Sequence, residues 1–275
     1  MRIIKIKGLA TLALAVASIP CFANTQTLTA PKTLSELIKK ERFGLAASTY
    51  NSTIGTTDNI NGIKQLNILN LYYTISDKDS LRWQNQVTGS FQKGSDTDFT
   101  HSKSILKYTR GSILNQEDHG INMSAAFEKR YITDPSARSG GNVYGHNRIS
   151  TSLSRKVNEK FSIGATAFLA LNDIRDSKDK STTRNYFLGI FSQSIKLPKD
   201  LSLTFFQEVF KSNNSLDSDE SASITFNADI SGSVTKKLGY NVTVYSTPFS
   251  DEKLSYQDDF YKNLTYELGL SYRAF

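Results

Sequence analysis

From Arg42 onward, apolar residues return at every second position, and that period constrains the fold more than any other feature of the chain. Residues 160–172 show it best. Phe161, Ile163, Ala165, Ala167, Leu169 and Leu171 share one face, and Ser162, Gly164, Thr166, Phe168, Ala170 and Asn172 share the other. Residues 223–234 and 264–274 repeat the pattern. Twelve such segments can be marked: 42–52, 64–75, 81–91, 103–113, 121–131, 147–157, 160–172, 185–196, 201–211, 223–234, 239–247 and 263–275. The faces of 64–75, 103–113 and 185–196 are ambiguous. Segment 64–75 carries apolar residues on both sides, which a β-bulge would explain.

The connections alternate in length. Those at 53–63, 92–102, 132–146, 173–184, 212–222 and 248–262 are long, while 76–80, 114–120, 158–159, 197–200 and 235–238 are short polar turns. A soluble sandwich has no reason to alternate this way. A transmembrane barrel does, with short periplasmic turns, longer outer loops, an even strand count and both termini periplasmic. Eleven residues at about 3.3 Å each, tilted roughly 40°, rise about 28 Å, enough to cross the apolar band. Pro135, Pro198 and Pro248 fall in connections, as expected where a deleted ladder bond would have no substitute in hydrocarbon. Aromatics gather near segment ends. Tyr72, Tyr73, Trp83, Tyr108, Phe161, Tyr240 and Phe275 are expected at the periplasmic rim, and Tyr50, Phe91, Tyr131, Tyr186, Phe226 and Tyr266 at the outer rim.

The N-terminus reads as an export signal. Arg2, Lys5 and Lys7 precede an apolar run from Gly8 to Ile19, and Cys21-Phe22-Ala23 is a small-x-small cleavage site. Removal of residues 1–23 takes away the only Cys, so the mature chain has no disulfide. Residues 24–41 form a separate piece: Thr33 to Glu36 resembles a capping box ahead of a short helix, read as a lumenal plug, a periplasmic contact or a loose tail. Residues 42–275 are the barrel. Beyond the leader no window approaches a membrane-spanning helix. The charge balance is too even, and basic runs too scarce, for a nucleic-acid partner.

The last residues add a specific motif. Glu267-Leu268-Gly269-Leu270-Ser271-Tyr272-Arg273-Ala274-Phe275 resembles the C-terminal signal of bacterial outer-membrane β-barrel proteins, in which a polar residue, Gly, an aromatic and an apolar residue recur at fixed spacing before a terminal Phe. Gly269, Tyr272 and Phe275 occupy the key places, although Phe275 lies one residue past the Tyr272/Ala274 face. The resemblance implies an outer-membrane location in a Gram-negative bacterium, periplasmic chaperones and the barrel-insertion machinery as assembly partners, and outer-membrane lipids as surroundings. The expected fold is all-β: an antiparallel up-and-down transmembrane barrel of about twelve strands with a short N-terminal helix.

On the strands whose faces are clear, the inward residues include Arg82, Gln84 and Gln86; Glu128 and Arg130; Arg148 and Lys156; Glu208; Asp229; and Glu267 and Arg273. Charges facing lipid near the midplane would cost roughly 2–4 kcal/mol each, so these groups belong in the lumen or at a rim. Such a wall solvates a path for small polar solutes, and its near-equal numbers of basic and acidic groups argue against strong charge selectivity. A monomeric porin-like channel is the leading expectation. The alternatives are a structural or adhesive barrel working through loops 132–146 and 248–262, and a barrel-embedded lipid hydrolase. No cofactor, metal cluster or catalytic set is expected. His119 falls in a turn, His101 and His146 lie toward the outer rim, and Ser150 is about 13 Å from His146 along an extended strand, too far for direct activation.

Overall fold

The computed structural model describes residues 42–56, 59–92, 99–134, 143–174, 183–214, 220–251, 254–258 and 260–274. The leader, the 24–41 segment and Phe275 lie outside them. The chain is a closed antiparallel barrel. Its strands are β1 Phe43–Thr56, β2 Asn59–Thr74, β3 Asp79–Gln92, β4 Phe99–Leu114, β5 Asn122–Ile132, β6 Val143–Lys156, β7 Phe161–Ile174, β8 Thr183–Lys196, β9 Ser202–Asn214, β10 Glu220–Ser233, β11 Leu238–Asp251 and β13 Thr265–Arg273. A two-residue strand, β12 Ser255–Tyr256, pairs with β11 in the last loop. Each barrel strand pairs with its neighbours in sequence, and β13 pairs with β1 to close the ring.

All twelve expected segments are strands. Closure leaves no edge to satisfy, which is what hydrocarbon demands of a sheet. Both ends of the barrel chain lie at the end with the short turns: Thr74 N donates to Arg42 O (2.7 Å) and Ala274 N to Leu45 O (2.9 Å). This is called the turn end below, and the opposite one the loop end.

The outward row is apolar and bare, as in Ile149 (60% exposed), Leu169 (54%) and Trp83 (50%). The inward row holds the buried charges. This inverts the usual globular arrangement and suits a bilayer outside and a polar lumen inside.

Several expectations are corrected. The strands run further toward the loop end: β1 continues to Thr56 and β2 begins at Asn59, where a long loop at 53–63 was expected. That stretch sets Ile54, Ile60 and Ile63 among Thr53, Asn59 and Asn61 with no repeat at every second position, so the ladder outlasts the apolar alternation. Pro248 lies inside β11, where the β10–β11 register shifts between Ile224 and Phe226, a bulge that tolerates a residue without an N–H. The bulge expected within 64–75 lies higher, where the pairing shifts between Ile54 and Gly55. The turn after β4 holds one helical turn, α1 Gln116–His119, capped by Asn115 Oδ1 accepting from Asp118 N (2.8 Å) and ended by Gly120 at φ 73°.

Three aromatics assigned to the girdles point inward instead. Tyr50 packs against Ile68 and Ile105, Tyr72 sits in register with Arg82, and Tyr186 is buried with its ring edge-on to His146. Trp83, Tyr108, Phe91, Tyr131, Phe226 and Tyr266 do face outward, half-exposed.

Candidate functional site: the lumen wall

Register builds the centre of the site. Tyr72 pairs with Arg82, Arg82 with Lys107, Lys107 with Glu128, and Glu128 with Arg148, so adjacent strands β2 to β6 set these side chains in one row. The next row toward the loop end is Asn70, Gln84, Ile105, Arg130 and His146. Cross-strand neighbours of this kind stand close enough to interact directly.

Glu128, fully buried, is the hub. Arg130 Nε and Nη2 donate to its Oε2 at 2.9 and 2.6 Å, a fork-like grip on one oxygen. Arg148 Nη2 lies 3.0 Å from Oε1 and 2.9 Å from Oε2. Lys107 Nζ is 3.2 Å from Oε1, and Arg82 Nη2 is 3.9 Å away. One carboxylate thus serves four cations. The surplus positive charge leaves donors unused: Arg82 Nε and Nη2, Arg130 Nη1, Arg148 Nε and Nη1, and Gln86 Nε2 are buried without a hydrogen-bond partner. A buried donor left unmade costs about 1–3 kcal/mol, more when charged. Four cations against one carboxylate leave the ladder with a net positive charge.

The opposite wall is acidic. Glu208 accepts from Asn227 Nδ2 (2.6 Å), and Asp229 Oδ2 accepts from Asn241 Nδ2 (3.0 Å) and Thr243 Oγ1 (2.8 Å). Glu267 is in register with Thr243, which is in register with Asp229. No Lys or Arg forms an ion pair with these three carboxylates among the described residues. The charges are thus segregated rather than mixed: a basic sector on β3–β6 and an acidic one on β9–β11 and β13. The near-balance in the count hid this, so the argument against charge selectivity does not hold locally.

Two apolar patches separate the sectors. Ile68 and Ile105 pack with Tyr50 and Leu66; Phe168, Leu188, Ile190 and Phe206 pack with Phe210. The Arg148 guanidinium lies over the Phe168 ring at 4.2 Å. These patches explain why segments 64–75 and 185–196 looked apolar on both faces.

Of the residues singled out from sequence, Arg82, Gln84, Gln86, Glu128, Arg130, Arg148, Glu208, Asp229 and Glu267 are buried on the inner face. Lys156 and Arg273 are exposed at the turn end, outside the ladder. Lys107 was missed, because segment 103–113 gave no clear face. The reason is local. Lys107 shares the inner row with Ile105, and the outer row carries Ser104 and Arg110 beside Leu106 and Tyr108, so neither face of the segment reads as apolar. A bulge at Ser102, where the β3–β4 register shifts between Gln86 and Val87, lies just before it. Gly269 has a packing role of its own: a Cβ there would strike Asn241 Oδ1 and the Tyr50 ring, so Tyr50 covers the glycine at the β1–β13 seam. Tyr272 faces outward.

The same bulge brings His101 and Ser104 onto one outward face, with His101 Nε2 3.3 Å from Ser104 Oγ. Ser104 donates to Asn85 Oδ1 (2.7 Å), and no carboxylate or amide orients the His101 ring among the described residues. That is a surface hydrogen-bond chain, not a nucleophile with its base. His146 meets Tyr186 Oη at 3.2 Å and no serine. His119, in α1, is exposed. Among the described residues no group of His, Cys, Asp and Glu could hold a metal.

No protein-family model matches the chain, and no curated protein matches it in sequence. Solved structures do match in shape. The chain is similar to the KdgM porin (TM-score 0.53, 10% identity, 82% of this chain and 98% of that one). It is also similar to the NanC porin (0.54, 7%, 83% and 98%) and to an outer-membrane channel from Pseudomonas putida F1 (0.58, 12%, 84% and 95%). At these identities the likeness establishes the fold, a closed barrel of the kind outer-membrane channels have.

Proposed function

We propose that this chain is an integral outer-membrane channel through which small hydrophilic solutes pass passively, with solutes bearing carboxylate or a similar oxyanion favoured. The observation that carries the reading is the basic ladder on the inner face, four cations sharing the single carboxylate of Glu128. Fixed cations in a low-dielectric wall replace the water that an anion sheds on entry. The acidic sector opposite keeps the wall from holding the anion too tightly for release. One of the similar barrels, the KdgM porin, has been solved in complex with oligogalacturonate, whose sugars each carry a carboxylate. That chemistry suits Arg82, Lys107, Arg130 and Arg148.

On this reading the turn end is periplasmic, residues 1–23 are the leader, and the C-terminal motif with Gly269, Tyr272 and Phe275 is read by the insertion machinery after periplasmic chaperones deliver the chain. The test is conductance in planar bilayers. Discrete steps are expected from refolded protein, with a reversal potential in a KCl gradient that favours chloride. Absence of current would sink the channel, and preference for potassium would sink the role given to the ladder. Recording with and without residues 24–41 shows whether that segment occludes the lumen.

A further inference from the structure

The outward face of the barrel is not uniform. From β7 to β11 it is mostly apolar, as in Leu169, Phe187, Phe205 and Val242, with Gln193 and Gln207 standing singly among them. From β1 to β4 the same face carries a belt of amides and hydroxyls. Register places it: Thr49 pairs with Asn67, Asn51 with Gln65, Leu69 with Asn85, and Asn85 with Ser104. The belt lies at membrane depth. Asn85 falls on the outward row of β3 between Trp83 and Phe91, the two aromatics that bracket the apolar band there, and Asn67 falls between Leu69 and Ile63 on β2. Some of these groups satisfy one another. Gln65 Nε2 donates to Thr49 Oγ1 (3.3 Å) and Ser104 Oγ to Asn85 Oδ1 (2.7 Å). Asn67 and Asn51 have no side-chain hydrogen bond among the described residues, and the Asn85 amide N–H₂ is also unused. Acyl chains offer these groups nothing.

A shallow, mostly apolar depression of about 450 Å³ reaches the belt at Asn67 and Asn85, with Ala47, Thr49, Leu69 and Leu270 also lining it. A second protein surface seated there would cover apolar area and meet the amides together.

We infer that the β1–β4 face is an interface for a second copy of this chain, so that the barrel works as a homo-oligomer in the membrane. A second copy is the occupant because a carboxamide carries donors and an acceptor together. An Asn/Gln belt is therefore self-complementary across a symmetry axis, whereas a lipid tail is not complementary to it at all. The interface departs from the monomer expected from sequence. It rests on the outward face lying in a bilayer and not on what passes through the lumen.

The test is the size of the full mature protein in mild detergent by sedimentation, and cross-linking in vesicles. Wild type is expected to sediment as a multiple of one chain. Asn67→Leu plus Asn85→Leu should reduce it to one chain while the barrel stays folded, as judged by its heat-dependent gel mobility, and single-barrel conductance stays unchanged. Gln207→Leu, the same exchange on the outward row of β9, serves as control and should leave the assembly intact. Because the mature chain has no Cys, Asn85→Cys should form an inter-chain disulfide on oxidation and Gln207→Cys should not. A single-chain wild type, an oligomer that survives the double exchange, or equal cross-linking at both cysteines would overturn the interface. So would a single-chain barrel that carries tightly bound lipid on this face.

Discussion

Glu128→Gln is the most informative single change, because one carboxylate is the shared counter-charge of four buried cations. Each contact near 3 Å is worth about 5 kcal/mol of attraction at an effective dielectric of about 20. Desolvation of the charges offsets much of that sum, so the net worth of the hub is far smaller than the gross attraction. Removing one partner is another matter. It leaves Arg82, Lys107, Arg130 and Arg148 buried with no counter-charge, and uncompensated buried charge of this kind costs about 3–5 kcal/mol. At about 1.4 kcal/mol per decade, the unfolding equilibrium should rise by two to four powers of ten. Urea titration of the barrel in detergent, read by its heat-dependent gel mobility, measures this. Phosphate should restore part of the loss, since an oxyanion can pair with Arg and Lys donors that the carboxamide, which still fills the carboxylate's space, no longer satisfies. If Glu128→Gln unfolds at the wild-type urea concentration and phosphate changes nothing, the ladder is not held by its central carboxylate and is not an anion site.

Arg148→Gln removes a ladder cation and should lower the chloride-to-potassium permeability ratio several-fold, read from the reversal potential in a KCl gradient. Lys129→Ala breaks an ion pair with Asp173 (2.6 Å), which sits one residue from the loop end of β7, at the rim, and keeps its bond from Asn147; it should cost no more than about 1 kcal/mol in the same urea titration, well below the Glu128 effect. Gly145→Ala drives a Cβ into the backbone carbonyl of Arg130, so the β5–β6 pairing must shift; a loss of about 1–3 kcal/mol is expected, seen as a lower temperature for the heat-induced mobility change.

Much of this molecule can be read from period two. Each outward row is bounded by lipid, and each inward charge had to avoid it, so Arg82, Glu128, Arg148, Glu208 and Asp229 could be placed inside from the sequence. What could not be read is which of them meet. Glu128 and Arg148 are neighbours only through the β5–β6 register, and a one-residue slip would separate them. Ile105 on the inner row and Ser104 and Arg110 on the outer one blurred the alternation that would have revealed Lys107. Tyr50 and Tyr186 looked like girdle residues because aromatics near strand ends usually are. They face inward because the lumen needs bulk there, over Gly269 in one case and against His146 in the other. The loop-end strand extensions hold apolar residues such as Ile60, Phe99 and Val143, but without a sustained period of two that would mark them as strand.

The claim beneath all of this is that the outward rows lie in lipid and the charged rows do not. Trp83 is the only Trp in the chain, half-exposed on an outward row near the turn end, so its fluorescence reports on one place alone. In vesicles, Trp83 emission should be blue-shifted, quenched by lipids brominated near the headgroup end of the chains, and protected from iodide in solution. Emission at the wavelength of hydrated Trp, open to iodide and indifferent to brominated lipid, would contradict the account.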